Sequence, residues 1–143
     1  MTDQRTGTPM DLADGGFDPD CVFCRIVRGD FETPFVGQTH RAVAFADLHP
    51  QAPVHLLVVP RHHVASIART DEDDRDLLGE MIGLARDIAK SSGIEESGYR
   101  VLTNVGPDAG QSVFHLHLHV LGGAPLGVAL VANDTDIPTG ATE

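Results

Sequence analysis

The chain has 143 residues, enough for one domain with a buried core. Apolar residues make up 41% and charged residues 22%, the balance of a globular chain rather than of a disordered or membrane-embedded one. A formal charge of −11 opposes a polymeric phosphate backbone at long range, so no nucleic acid polymer is expected as a partner. A single nucleotide is compatible with it, because donors in a pocket outweigh a screened global field.

The longest apolar runs, such as residues 54–59, are strand-sized, and the polar start of the chain carries no apolar signal segment. The expectation is a cytoplasmic protein with no membrane association. Residues 1–19 read as a disordered leader, 20–132 as a single domain and 133–143 as a flexible tail, from their Thr, Gly, Asp and Pro content.

Val22–Arg28 predicts a short helix, stopped by Gly29. Just before and within it stand Cys21 and Cys24, spaced C-x-x-C. Without a secretory signal, metal or redox chemistry is the better reading of that pair than a structural disulfide. A redox dithiol would want a strand-to-helix setting that this sequence lacks.

Strands are predicted over residues 34–37, over 41–47 with a turn at Asp47-Leu48-His49-Pro50, and over 54–59, where Pro60 ends an apolar, β-branched run. A long helix follows over residues 72–91, capped by Thr70 or Asp71, with acids in its first turn where the helix dipole favours them. Leu77, Leu78, Met81, Ile82, Ala85, Ile88 and Ala89 form its apolar stripe. Residues 99–104 predict a strand, residues 106–112 a glycine-rich loop, and residues 113–121 the last strand, ended by Gly122-Gly123. Together these make an α+β fold: a mostly antiparallel sheet of about five strands with one long and one short helix. The amphipathic helix argues against a His-x-His metal oxygenase on a nearly all-strand barrel.

Strand alternation in the last segment places His115, His117 and His119 on one face, and Phe114, Leu116, Leu118 and Val120 on the other. At about 3.3 Å per residue the outer two histidines stand roughly 13 Å apart along a strand. Zinc–nitrogen bonds are about 2.1 Å, so one ion cannot take all three, and at least one imidazole has another task. A neutral imidazole is a good nucleophile toward phosphorus near pH 7. The loop ending at Ser112 supplies backbone N–H groups and a hydroxyl suited to phosphate oxygens. It is not a P-loop, and no magnesium-binding set accompanies it.

His115-Leu116-His117-Leu118-His119-Val120-Leu121 resembles the His-φ-His-φ-His-φ-φ signature (φ apolar) of the histidine triad family. Gly110-Gln111-Ser112-Val113-Phe114 before it and Gly122-Gly123 after it agree. So does the block Ala44-Phe45-Ala46-Asp47-Leu48-His49-Pro50-Gln51-Ala52-Pro53-Val54-His55-Leu56-Leu57-Val58-Val59-Pro60, followed by His63. The likeness covers about residues 21–123 and is to the nucleoside phosphoramidase branch; the dinucleoside polyphosphate hydrolases usually carry Gln where this chain has His119.

The resemblance implies that His117 is the nucleophile taking the nucleotidyl group, that His119 contacts the phosphate, and that Ser112 donates to the leaving group. It implies that Asp47 accepts from the ribose hydroxyls, that Leu48, Phe23 and Ile26 border the base, and that Asn104, Gly110 and Gln111 approach the phosphate. It implies a structural zinc on Cys21, Cys24, His63 and His115, no magnesium requirement, a purine nucleotide as small-molecule substrate, and a homodimer joined through the long helix and a strand. His49 and His62 take no role from it and are expected at the surface. Two other functions stay open at this point: a dinucleoside polyphosphate hydrolase or phosphorylase, and a nucleotide-binding module without turnover. Residues 124–131 depart from the family's pattern where the leaving group is selected.

Overall fold

The structure, a computed structural model, describes residues 16–127. The expected tail at 133–143 lies outside the described residues, as does the expected leader apart from residues 16–19. Within that short piece the Gly16 carbonyl accepts a hydrogen bond from the His63 backbone N–H at 2.7 Å.

Helix α1 spans Val22–Arg28. Its N-cap is Cys21, whose sulfur accepts from the Cys24 N–H at 3.3 Å, and Gly29 closes it in the left-handed region at φ 99°. Five strands follow: β1 (Gly37–Gln38), β2 (Ala42–Ala46), β3 (Val54–Pro60), β4 (Tyr99–Leu102) and β5 (Leu118–Gly122). They form one sheet in the order β1-β2-β3-β5-β4, with every pairing antiparallel. Helix α2 (Arg75–Ser91) lies between β3 and β4 in the chain. A 3-10 turn, Glu72–Asp74, leads into it. Of the two candidate caps, Asp71 takes the position: its carboxylate accepts from Asp73 N–H at 2.8 Å, and Asp74 reciprocates on Asp71 N–H at 3.0 Å.

The sheet divides two apolar layers by strand alternation. Ala42 and Ala44 of β2, Leu56 and Val58 of β3, and Leu118 and Val120 of β5 pack on Leu77, Met81, Leu84, Ala85 and Ile88 of α2. Val43, Phe45, Leu57 and Val59 face the other way and pack on Phe23, Cys24 and Ile26 of α1. The expected stripe of α2 is buried except at its margin, where Leu78 is half-buried and Ile82 is exposed. Gly37 allows β1 to lie against α2, since a Cβ there would stand 2.8 Å from Ile88 Cγ2. Glu80 ties the same helix to the β1–β2 turn, accepting from the Thr39 hydroxyl and from the Arg41 N–H.

The last strand is shorter than the alternation predicts. β5 begins at Leu118 instead of Val113, because the backbone before it has other partners. The Leu116 N–H donates to the Val64 carbonyl at 2.6 Å, and the His117 carbonyl accepts from the Thr103 hydroxyl at 2.6 Å. Pro60, at the end of β3, has no N–H for a ladder, and its carbonyl is taken by the His115 side chain. The sidedness survives the loss of pairing: Leu116 still faces α2, and His115 and His117 still face α1. The first strand, expected over residues 34–37, is short and shifted to Gly37–Gln38, and β4 ends at Leu102 rather than residue 104.

Met81 is 1% exposed at the centre of the α2-facing layer. Met81→Ala should cost about 2–5 kcal/mol through lost burial and the cavity left behind. Urea unfolding monitored by circular dichroism measures this, and a change under 1 kcal/mol would mean that α2 does not seat on the sheet as described.

Candidate active site and metal centre

The α1-facing side of the sheet gathers five of the eight histidines. His115 lies at its centre and is wholly buried. Its Nε2 donates to the Pro60 carbonyl at 3.0 Å, since a carbonyl can only accept. In the neutral ring this leaves the Nδ1 lone pair facing two thiols, Cys21 Sγ at 3.3 Å and Cys24 Sγ at 3.6 Å. His63 Nδ1 completes the group, 3.4 Å from Cys24 Sγ. All four ligand atoms lie within 4.8 Å of one another.

The arrangement fits a tetrahedral ion. With metal–sulfur and metal–nitrogen bonds of about 2.3 and 2.1 Å, a tetrahedral centre separates adjacent S and N ligands by roughly 3.6 Å. The observed edges are close to that, and the Pro60 carbonyl supplies the outer hydrogen bond that holds a ligating imidazole in its tautomer. The two sulfurs divide the charge: the neighbouring Cys21 sulfur, then burial, push the Cys24 thiol up. The neighbouring Cys24 thiol, followed by His115 and His63, holds the Cys21 sulfur well below the ordinary thiol range against the cost of burial. The same sulfur raises the pKa of His63. This cluster can hold a metal ion; helix α1 brings the sulfurs to it, and the chain segments after β3 and before β5 bring the imidazoles.

His117 sits one strand step further along. Its Nδ1 donates to the His115 carbonyl at 2.7 Å, so the neutral ring carries its proton there and keeps its lone pair on Nε2. Among the described residues no hydrogen bond occupies that Nε2. Burial lowers the pKa of the ring, which keeps it unprotonated at neutral pH. Phe23 stands edge-on to it, with ring centroids 5.1 Å apart. Phe23 is thus a buried wall of this site; Ile26 is buried in the same apolar layer, and Leu48 is 83% exposed.

His119 approaches His117 with ring centroids 5.0 Å apart. Its Nδ1 lies 2.9 Å from His55 Nε2, and that atom in turn lies 3.3 Å from Asp47 Oδ2. The other Asp47 oxygen accepts from the His49 N–H at 2.8 Å, an Asx turn at the end of β2. His119 Nε2 is buried and has no hydrogen-bond partner among the described residues.

The glycine-rich loop is shaped from within. Gly106 and Gly110 take φ of 82° and 84°. The Gln111 side chain is committed to the loop, accepting from Gly106 N–H at 2.8 Å and donating to the carbonyls of Ala65 and Val113. Ser112 and Gly110 are exposed, and Asn104 is half-buried past the end of β4. Of the two histidines expected at the surface, His49 is exposed and His62 half-buried. The leaving-group segment at 124–131 is described only as far as Gly127.

One residue at this centre escaped the sequence reading. His55 lies within the upstream block, but nothing local distinguishes it from any polar residue on an apolar strand. The signal was its place in β3: a residue alternating with Leu56 and Val58 must face the side opposite α2. That is the side taken by the triad.

Burial first, then the imidazoles of His117 and His55, depress the His119 pKa to about 4. An unfolded chain binds that proton near pH 6.5, so folded stability is lost as pH falls from about 6.5 toward about 4. Between pH 7 and 5 the protein should lose about 2 kcal/mol more than His119→Gln does, by urea unfolding. Equal losses would place His119 in a solvated setting.

The model of the HIT domain matches residues 28–126. A purine nucleoside phosphoramidase of Escherichia coli strain K12 is 38% identical over 109 residues, 76% of this chain and 92% of that protein. An uncharacterized 13.2 kDa HIT-like protein of Azospirillum brasilense is 44% identical over 114 residues, 78% and 92% of the two chains. Among solved structures, a HIT family hydrolase from Clostridium thermocellum superposes with a TM-score of 0.77 at 38% identity, covering 80% of this chain and 99% of that one. The protein described here belongs to the HIT domain family.

Proposed function

We propose that this protein hydrolyses purine nucleoside phosphoramidates, of the AMP-amine type, through a covalent nucleotidyl intermediate on His117. The observation that carries the reading is the His117 ring: Nδ1–H anchored on the His115 carbonyl at 2.7 Å, Nε2 unengaged, and burial keeping it neutral. The 38% identity to a purine nucleoside phosphoramidase supports the substrate class, and the hydrolase relatives support the reaction type.

In the proposed reaction His117 Nε2 attacks phosphorus and the P–N bond breaks. The electron pair of that bond goes to the departing nitrogen, which takes a proton from solvent by way of the Ser112 hydroxyl. Water then adds to phosphorus, the P–Nε2 bond breaks, and the nucleoside monophosphate leaves with the imidazole restored. His119 Nε2–H, otherwise without a partner, donates to a phosphoryl oxygen as negative charge builds there. Asp47 accepts from the vicinal ribose hydroxyls, and the backbone of the Gly110–Gln111 loop, with Asn104, closes on the phosphate. Leu48, Phe23 and Ile26 border the base. No magnesium is required, because donors and imidazoles carry the phosphate chemistry.

Zinc is the ion that the Cys21, Cys24, His63 and His115 donor set suits, two soft thiolates with two imidazoles in tetrahedral spacing. When bound there it is structural, supplying a crosslink between α1 and the segment that carries His117. A cytoplasmic setting suits the same pair of free cysteines. We also propose a homodimer, supported by β4 at the sheet edge with Tyr99 and Val101 partly exposed and by the exposed Ile82 on α2.

His117→Ala should abolish AMP release from adenosine phosphoramidate while AMP still binds, as read by chromatography and calorimetry. Undiminished turnover would sink the nucleophile assignment. Elemental analysis of the purified protein should give about one zinc per chain, falling sharply in Cys24→Ser. Metal-free protein with native stability would return the two cysteines to plain thiols.

A further inference from the structure

The hydrogen bonds behind His119 have a direction that a single backbone amide sets. The Gln51 N–H points at His55 Nδ1, 2.9 Å away. A backbone N–H can only donate, so His55 Nδ1 holds a lone pair. This excludes both the doubly protonated ring and the Nδ1–H tautomer of His55. Its proton is therefore on Nε2. From there it faces His119 Nδ1 at 2.9 Å and Asp47 Oδ2 at 3.3 Å. Two ring nitrogens at that distance cannot both carry protons, so His119 Nδ1 accepts and the His119 proton lies on Nε2. That is the buried atom with no partner among the described residues.

We propose that His55 is a positioning residue: it passes the polarity of the Gln51 amide through its own ring, so that His119 presents Nε2–H to the phosphoryl group, with the Asp47 carboxylate lying 3.3 Å from His55 Nε2. His55 sits on β3 facing Leu121, diagonal to His119, which is paired with Leu57. It is buried and acts through its hydrogen bond to His119. The inference rests on the proposed reading of His119 as the phosphate donor.

The same three residues, Asp47, His55 and His119, have ligand atoms close enough to surround a cation. The hydrogen bonds argue for the relay. A metal would need the His55 Nε2 lone pair, hence a proton on Nδ1, directed at the Gln51 N–H.

Histidine-labelled protein studied by two-bond ¹H–¹⁵N correlation at pH 7 reads these tautomers directly. Both His55 and His119 should carry their proton on Nε2. His55→Gln puts an amide N–H near the position of Nε2 and should keep the His119 tautomer and most of the turnover. His55→Asn reaches only the Nδ1 position; His119 should then sample both tautomers, and kcat should fall by roughly tenfold to a hundredfold, the usual loss for an orienting partner. A wild-type His119 protonated on Nδ1, or a His119 tautomer unmoved in His55→Asn, overturns the inference. Expected tautomers in a wild-type protein that does not turn over adenosine phosphoramidate would support the relay and overturn the proposed reaction instead.

Discussion

His115 is the residue on which the rest of this site hangs, because three of its polar groups point in three directions and all are engaged. Its Nδ1 meets the two sulfurs of the α1 segment, its Nε2 holds the end of β3 at the Pro60 carbonyl, and its own carbonyl takes the proton-bearing nitrogen of His117. A displacement of this ring disturbs the thiol cluster and the adjacent His117 ring together. The same bonds explain why the chain leaves the sheet here: carbonyls that would have joined a ladder are spent on side chains. The placement of the imidazoles and the irregular backbone at residues 113–117 have one cause.

Around that point the sheet acts as a partition. One face is closed by the apolar stripe of α2, and the other carries imidazoles, sulfurs and the aromatic ring of Phe23. Burial lowers the pKa values of His55, His117 and His119 alike, and neighbouring imidazoles lower those of His117 and His119 further, which keeps these rings neutral. A neutral cluster with defined tautomers offers lone pairs and N–H donors at fixed positions without attracting bulk counterions. This makes the proposed nucleotide substrate compatible with a chain of formal charge −11. Some of the acids have tasks elsewhere, as at the start of α2, where Asp71 and Asp74 satisfy backbone N–H groups.

The period-two and helical patterns settled much from sequence alone. Which residues of β2, β3 and β5 face α2, where α1 stops at Gly29, and that His115, His117 and His119 share a side are consequences of backbone geometry that each segment carries locally. The triad and the block before it also marked the family. Other matters depended on partners distant in the chain. The early end of β3–β5 pairing required Val64, Thr103 and Pro60 to reach residues 113–117. The meeting of Cys21 and Cys24 with His63 and His115 spans about ninety residues of chain, which no local pattern encodes. His55 shows the division most plainly. Its side of the strand was determined by alternation, but its function follows from Gln51, Asp47 and His119 converging on one ring, because a hydrogen bond's direction is defined only when both of its ends are in place.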